Sequence, residues 1–168
     1  CLGLVSAEPV TARLTVPPFT NSAMDGFAVR HADVSEATVH TPVTLPVTND
    51  VPAGSPAHRP LDPGTAQRIM TGARMPENAD TVIKVEDTDH APGTVDAPAT
   101  VTIFRTPSTG ANVRRRGEAL ATGATVLPAG RRLTPEALAA AAAVGHGSLR
   151  VHPAPRVGVL ATGSELGG

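Results

Sequence analysis

The sequence predicts a mostly β protein of the α+β class, in which a β-rich domain is inserted into an elongated one. Between residues 19 and 118, short apolar stretches of strand length alternate with turns rich in Gly and Pro. One stretch, from Thr134 to about Gly145, carries a clear helix signal. Trp and Tyr are absent and Phe occurs three times. The core must therefore consist of Val, Leu, Ile and Ala, a composition that suits strands.

Residues 1–18 are predicted to be extended, because the Pro17-Pro18 pair prevents a helix through that point. In the β-rich domain only Asp33–Ala37 has a local helical pattern. Each half-buried strand of this domain needs a sheet partner for its backbone and a core for its apolar face. The predicted strands are Val43–Val47, Ala66–Met70, Thr81–Glu86 and Val101–Arg105.

The helix is predicted to begin at Thr134, a residue type that caps helices with its side-chain oxygen. Pro135 then takes the first helical position, and Glu136 lies in the first turn, where a negative charge is favourable. The Ala-rich stretch that follows is a strong helix former and ends near Gly145.

After the helix, Ser148–His152 is a candidate strand, and Pro153 and Pro155 form a stiff joint. Arg156–Ala161 is predicted to be a buried strand that leads into a Gly-containing turn at residues 162–166. An apolar strand followed by such a turn is typical of the start of an α/β domain.

These elements divide the chain into three predicted parts. Residues 1–18 and 119–152 form the elongated domain, residues 19–118 form the inserted β-rich domain, and residues 153–168 begin an α/β domain. Because the sequence starts at Cys1 rather than Met and ends soon after the first strand of that domain, we expect a portion of a longer protein.

Composition argues against several classes of function. A net charge of −1 gives no electrostatic footprint for nucleic acid. No apolar run approaches the roughly 18 residues of a membrane span, and no signal peptide is visible, so no membrane partner is expected. The single Cys1 excludes an intramolecular disulfide and agrees with a cytoplasmic location. The six histidines lack the spacing of a histidine metal site.

The stretch from Pro17 to Val29 carries the strongest chemical signal. It places Asp25 before Gly26 among small polar residues, and apolar residues enclose them. An Asp-Gly turn can present carboxylate oxygens to a cation or to a hydrogen-bond donor. Because such turns are also common as purely structural features, the spacing alone leaves both interpretations open.

Four stretches, in this order, resemble the motifs of the molybdopterin molybdenumtransferase family, to which the carboxyl-terminal part of gephyrin is related. The resemblance implies a transferase that inserts molybdate into adenylated molybdopterin, releases AMP and uses Mg²⁺. It also implies a homodimer with a cleft shared between subunits. The four stretches are Pro17–Val29, Arg68–Ala73 with Pro76, Asn112–Glu118 and Ala161–Leu166.

The resemblance further implies that the chain is the amino-terminal portion of such an enzyme. Residues 153–168 would then begin its molybdopterin-binding domain. Most of that domain follows the last motif in the family, so the 168-residue chain is expected to be inactive by itself.

Candidate site residues follow from the same resemblance. It places Asp25, Thr71 and Glu165 in the catalytic cleft, with Asp25 and Glu165 also as metal ligands. A phosphoanhydride and an oxyanion need cationic groups or donors, and a divalent cation needs carboxylate oxygens. The candidate substrate-binding residues are Arg114, Arg116, Thr162, Gly163 and Ser164.

Two of these assignments have structural alternatives. The Thr71 hydroxyl can instead cap a turn ahead of Gly72. If residues 114–116 are extended, Arg114 and Arg116 share one face and Arg115 takes the other. That basic face can equally be solvated or contact a second subunit.

The sequence also departs from the family pattern. Ala119 stands where the family usually has an acidic residue after Glu118, and Ser164 stands where Asp is frequent. The missing carboxylate and the short chain leave a second hypothesis open. In it, the protein is a non-catalytic relative that binds or scaffolds, as gephyrin does.

Overall fold

The structure, a computed structural model, describes residues 1–55, 59–93, 96–160 and 162–163. Its contacts divide the chain into two compact units. The first unit comprises Cys1–Leu14 and Thr122–Gly168, and the second unit comprises Thr15–Ala121. The division into three domains, with a third beginning at residue 153, stays a prediction.

The described residues contain one α-helix and several short strands. In chain order these elements are β1 (Val10–Thr11), β2 (Asn21–Ser22), β3 (Gly26–Val29), β4 (Val43–Val51), β5 (Ala66–Ile69), β6 (Thr81–Lys84), β7 (Thr100–Ile103), β8 (Val113–Arg114), β9 (Thr125–Leu127) and α1 (Pro135–Ala143).

A five-stranded sheet with the order β6-β3-β5-β4-β7 forms the second unit's framework. β4 and β5 pair in parallel, and the other neighbours are antiparallel. The segment that follows β6 also reaches β7. Thr88 bridges to Ile103, and the Phe104 N–H donates to the Asp87 carbonyl at 2.9 Å. Because this segment joins the two ends of the strand order, the sheet curls into a partial barrel.

The outer side of β6 is covered by another irregular segment, residues 110–112. The Val82 N–H donates to the Ala111 carbonyl at 3.2 Å, and the Asn112 side-chain amide donates to the Val82 carbonyl at 2.9 Å. Asn112 has a positive φ of 58°, a conformation that Asn tolerates better than most residues. Asn112, which belongs to the third motif, therefore also stabilises the sheet through its hydrogen bond to β6.

β3 is buried on both of its faces. Phe27 and Val29 pack in one apolar cluster with Ile83, whereas Ala28 packs in a second cluster with Ile69. Since side chains alternate across a strand, a fully buried strand needs a core on each side of the sheet. The residue immediately before β3 is thus anchored to the centre of the unit.

In the first unit, β1 pairs with β9 and α1 packs against them. The helix prediction is confirmed. The Thr134 hydroxyl accepts from the Ala137 N–H at 3.3 Å, and Pro135 is the first helical residue. Such a cap stabilises a helix by about 1 kcal/mol. The apolar cluster of this unit consists of Val10, Leu127, Leu133, Ala137 and Ala141.

The mostly β prediction is confirmed, and the four predicted strands correspond to β4 to β7. β4 continues to Val51, and β6 stops at Lys84, where a 3-10 turn begins. The helical turn expected at Asp33–Ala37 starts earlier, as a 3-10 turn at His31–Asp33. Between residues 148 and 152, only Val151 makes a β-bridge, with Ser6.

The predicted strand Arg156–Ala161 is wrong for residues 156–160. They form no regular structure, and Val157, Val159 and Leu160 are exposed. A buried strand needs a neighbouring strand for its backbone groups, and the described part of the chain offers none here. Ala161 lies outside the described residues. Among the helices that the structure describes, none is long and apolar enough to cross a membrane.

Candidate functional site

Asp25 and Thr71, which come from different motifs, are in direct contact. Asp25 precedes β3 and Thr71 follows β5, and these strands are paired so that Gly26 lies opposite Ile69. The backbone N–H and the hydroxyl of Thr71 both donate to Oδ1 of Asp25, at 2.6 and 2.7 Å. The sheet therefore brings together two candidate residues that are 46 positions apart in the sequence.

The Asp25 carboxylate is exposed and ionised at neutral pH. The hydrogen bond from the Thr71 hydroxyl is the largest cause that lowers its pKa, followed by the bond from the Thr71 N–H. The Arg68 charge lowers the pKa further, while burial opposes these effects. No described residue donates a hydrogen bond to Oδ2. Oδ1 is thus fixed by Thr71, and Oδ2 retains its capacity to accept.

Replacing Thr71 with Ala is expected to raise the pKa of Asp25 toward its ordinary value of 3.8, because the hydroxyl makes the largest contribution to the lowering. A folded-state pKa below the unfolded one gives stability that is fully present above pH 3.8. That stability is lost as the pH falls through the folded-state pKa. Between acid and neutral pH, the free energy of unfolding of the variant should therefore rise less than that of the unsubstituted chain.

The pKa can be measured by NMR titration of the Asp25 carboxyl carbon. Thr71→Ser is the matched control, because it keeps the hydroxyl and should keep the pKa low. An Asp25 pKa in the Ala variant that equals that of the unsubstituted chain would contradict this account.

Gly26 is required by a close approach of two strands. A Cβ at this position would lie 1.9 Å from the Ile83 carbonyl oxygen, which is an impossible contact. Gly26 is also the first residue of β3 and pairs with Lys84 on one side. The sequence suggested that Gly26 is needed for a tight turn. In the structure it is needed because the neighbouring strand β6 leaves no space for a Cβ.

Residues 114–116 are not extended throughout. The condition under which Arg114 and Arg116 would share one face is therefore not met. β8 ends at Arg114, and a turn follows in which the Arg115 N–H donates to the Glu118 carboxylate at 2.7 Å. Alternation of faces therefore does not apply to residues 114–116. Arg116 is held through its own Nε, which donates to the Pro18 carbonyl at 3.2 Å.

Backbone pairing also brings an arginine that the sequence analysis missed next to the first motif. Asn21 of β2 pairs with Arg114 on one side and bridges to Arg74 on the other. The Arg74 guanidinium lies over the Phe19 ring, 4.6 Å from its centroid. No pattern in the sequence singles out Arg74, because its position depends on the three-stranded pairing around Asn21.

Two of the remaining candidates belong to the first unit, whereas Asp25 belongs to the second. Thr162 and Gly163 are exposed, lie outside any helix or strand, and belong to the first unit. Ser164 and Glu165 lie outside the described residues. The side chain of Ala119, where a carboxylate was expected, is exposed, and its N–H donates to the Val16 carbonyl at 3.2 Å. The roles of these residues stay predictions.

A cleft with a volume of about 80 Å³ opens beside Asp25. Most of its lining side chains are apolar, and its charged groups are few. No group of three or more His, Cys, Asp or Glu suited to a metal occurs in the described part of the chain. The main lining residues are Asp25, Phe27, Arg68, Met70, Val85 and His90.

Known proteins resemble this chain along almost all of its length. A molybdopterin molybdenumtransferase 2 of Mycobacterium tuberculosis H37Rv is 49% identical over 164 residues, which are 98% of this chain and 39% of that protein. The molybdopterin molybdenumtransferase of Bacillus subtilis is 39% identical over 160 residues, 95% of this chain and 37% of that protein. The chain thus spans about two fifths of the length of these curated relatives.

Solved structures agree with the sequence comparisons. Two crystal structures of molybdopterin biosynthesis MoeA protein from Pyrococcus horikoshii match with TM-scores of 0.78 and 0.77, at 33% and 32% identity. They cover 89% and 86% of this chain and 37% and 36% of theirs. The family described as MoeA N-terminal region (domain I and II) matches residues 1–145. The chain belongs to this family, as its motifs predicted.

Proposed function

We propose that this chain supplies the Asp25–Thr71 part of the active site of a molybdopterin molybdenumtransferase. That enzyme inserts molybdate into adenylated molybdopterin and releases AMP. The observation that carries the proposal is the pair of hydrogen bonds from Thr71 to one Asp25 oxygen. They hold an ionised carboxylate in a fixed direction beside a cleft, and the relatives are named molybdopterin molybdenumtransferases.

Asp25 is exposed, and its Oδ2 can fill one ligand position of Mg²⁺. In proteins Mg²⁺ is commonly held by one or two carboxylates together with substrate phosphates and waters, so a cage of protein ligands is not needed. Asp25 would hold the ion, with Glu165 as the proposed second carboxylate. When bound, Mg²⁺ offsets negative charge on a phosphoanhydride.

Thr71 acts on the reaction through Asp25. Its two donors fix the carboxylate and lower its pKa below the ordinary value of 3.8. A side chain held in advance does not have to be ordered when the substrate binds, which lowers the cost of reaching the reactive geometry. Thr71 is therefore a positioning residue in this proposal.

The arginines around β2 are proposed to face anionic parts of the substrates. Arg114 and Arg116 are exposed and approach the first motif through backbone pairing and the Pro18 contact. Guanidinium groups bind phosphate and other oxyanions well. Thr162, Gly163 and Ser164 are proposed substrate contacts, and a homodimer would complete the cleft.

A chimaera tests the proposed function. Residues 1–160 of this chain would replace the matching region of the Mycobacterium tuberculosis relative, to which the chain is 49% identical. We expect AMP release from adenylated molybdopterin that depends on molybdate and Mg²⁺. The relative without the replacement is the control. A folded, dimeric chimaera that releases no AMP would favour the scaffold hypothesis.

A further inference from the structure

We infer that Asp25-Gly26 is a site of spontaneous backbone rearrangement to isoaspartate, and that Thr71 protects it from this change. Asp25-Gly26 is the one Asp-Gly pair in the sequence. Asp-Gly pairs rearrange more readily than other Asp-containing pairs, because glycine has no side chain to shield its nitrogen. Protection is a second role for the Thr71 contact, and it does not depend on the reaction proposed above.

The rearrangement joins the Gly26 nitrogen to the Asp25 side chain. The nitrogen attacks Cγ of Asp25 and loses its proton to solvent, while one carboxyl oxygen leaves as water. The new N–Cγ bond closes a succinimide ring, and water then adds to either ring carbonyl. Addition at Cγ restores aspartate. Addition at the backbone carbonyl carbon breaks its bond to the nitrogen and leaves isoaspartate, so no oxidant, metal or second substrate is needed.

The sheet itself requires the glycine that makes this site reactive. A Cβ at position 26 would lie 1.9 Å from the Ile83 carbonyl oxygen, a backbone atom of the neighbouring strand β6. A larger residue that would shield the nitrogen therefore cannot replace Gly26. Asp25 is exposed, so water and base reach its carboxyl group. Protection must come from the contacts that hold the pair in place.

Thr71 restrains the carboxyl group. Its N–H and its hydroxyl donate to Oδ1 of Asp25 at 2.6 and 2.7 Å. Ring closure moves Cγ to bonding distance of the Gly26 nitrogen, and this movement strains or breaks both hydrogen bonds. Hydrogen bonds to a charged acceptor are among the stronger ones in proteins, so their loss adds to the barrier.

The sheet restrains the attacking nitrogen. The Asp25 carbonyl accepts from the Val85 N–H at 3.2 Å, and Gly26 is the first residue of β3. The Asp25 carbonyl and the Gly26 nitrogen belong to the same planar peptide group, so a contact that fixes the carbonyl also fixes the nitrogen. The backbone contact and the Thr71 contact therefore restrain the two reacting atoms separately.

Isoaspartate at position 25 would remove the carboxylate from its present place. The chain would run through the side chain, which inserts one extra backbone atom before β3 and leaves the free carboxyl group directly on Cα. The pairing of Gly26 and the contact with Thr71 both depend on the present spacing. The residue that positions the carboxylate thus also preserves the covalent structure on which its position depends.

Ageing of the 168-residue chain at physiological temperature and neutral pH tests the inference. Isoaspartate at position 25 is measured by peptide mapping, which separates isoaspartyl from aspartyl peptides of equal mass. We expect the folded chain to rearrange at least about tenfold more slowly than the same chain unfolded in guanidinium chloride. Thr71→Val keeps the shape and the N–H but removes the hydroxyl, and should form isoaspartate about tenfold faster than the unsubstituted chain.

Two matched variants separate this contact from a general loss of stability. Thr71→Ser keeps the hydroxyl and should keep the slow rate. Thr81→Val removes the hydrogen bond from the Gly110 N–H, 3.1 Å long, at a position opposite Val29 and so at the far end of β3 from Asp25. It should also keep the slow rate. If Thr71→Val does not fold, Thr71→Ala takes its place. A folded Thr71 variant that forms isoaspartate no faster than the unsubstituted chain, or no faster than Thr81→Val, would overturn the inference.

Discussion

Gly26→Ala is expected to lower the free energy of unfolding of the second unit by at least about 3 kcal/mol. The new Cβ would meet the Ile83 carbonyl oxygen at 1.9 Å and its carbon at 2.9 Å. Both are backbone atoms, so relief requires β3 and β6 to separate. Because β3 lies inside the sheet and is buried on both faces, that separation also opens two apolar clusters.

Urea denaturation of three variants checks this expectation. Gly147→Ala meets no atom within 4 Å and has no left-handed φ, so its effect should stay within about 0.5 kcal/mol. Gly54→Ala lies in the same unit as Gly26, in open space but with φ of 81°, and should cost about 1 kcal/mol. If Gly26→Ala costs no more than Gly54→Ala, the close approach does not explain the glycine.

Asp25→Asn in the chimaera is expected to lower the rate of AMP release by about tenfold or more, or about 1.4 kcal/mol of barrier. Asn keeps the size of the side chain and an oxygen that can accept from Thr71. It removes the negative charge and with it the proposed Mg²⁺ ligand. Thermal stability should change little, because the side chain is exposed and retains its acceptor.

The matched control is Asp62→Asn, which removes the same charge at an exposed position of the same unit away from the cleft. It should leave turnover unchanged. Rates and melting temperatures of both variants separate a chemical role from a structural one. Full turnover in Asp25→Asn would remove Asp25 from the proposed mechanism.

Much of the fold follows from local sequence patterns. Thr134 and Pro135 predict the start of α1, since caps act within one turn. Strands β4 to β7 follow from short apolar stretches between turns. β3 was missed, although the run from Phe27 to Val29 is continuously apolar, as in strands buried on both faces.

The geometry of the site could not be predicted from the sequence, because it depends on strand pairing. The motifs named Asp25 and Thr71 separately, but only the β3–β5 register makes both Thr71 donors meet one oxygen. The cleft depends on the packing of His90 against Phe27, which no local pattern encodes. Arg74 owes its place to the pairing around Asn21.

The irregular segments on both sides of the five-stranded sheet have a consequence for solution behaviour. Border strands normally expose a row of backbone donors and acceptors that can template edge-to-edge aggregation. Residues 87–89 occupy that position along β7, and residues 110–112 occupy it along β6. Cross-chain pairing along either border of this sheet therefore requires local unfolding of one of these covering segments.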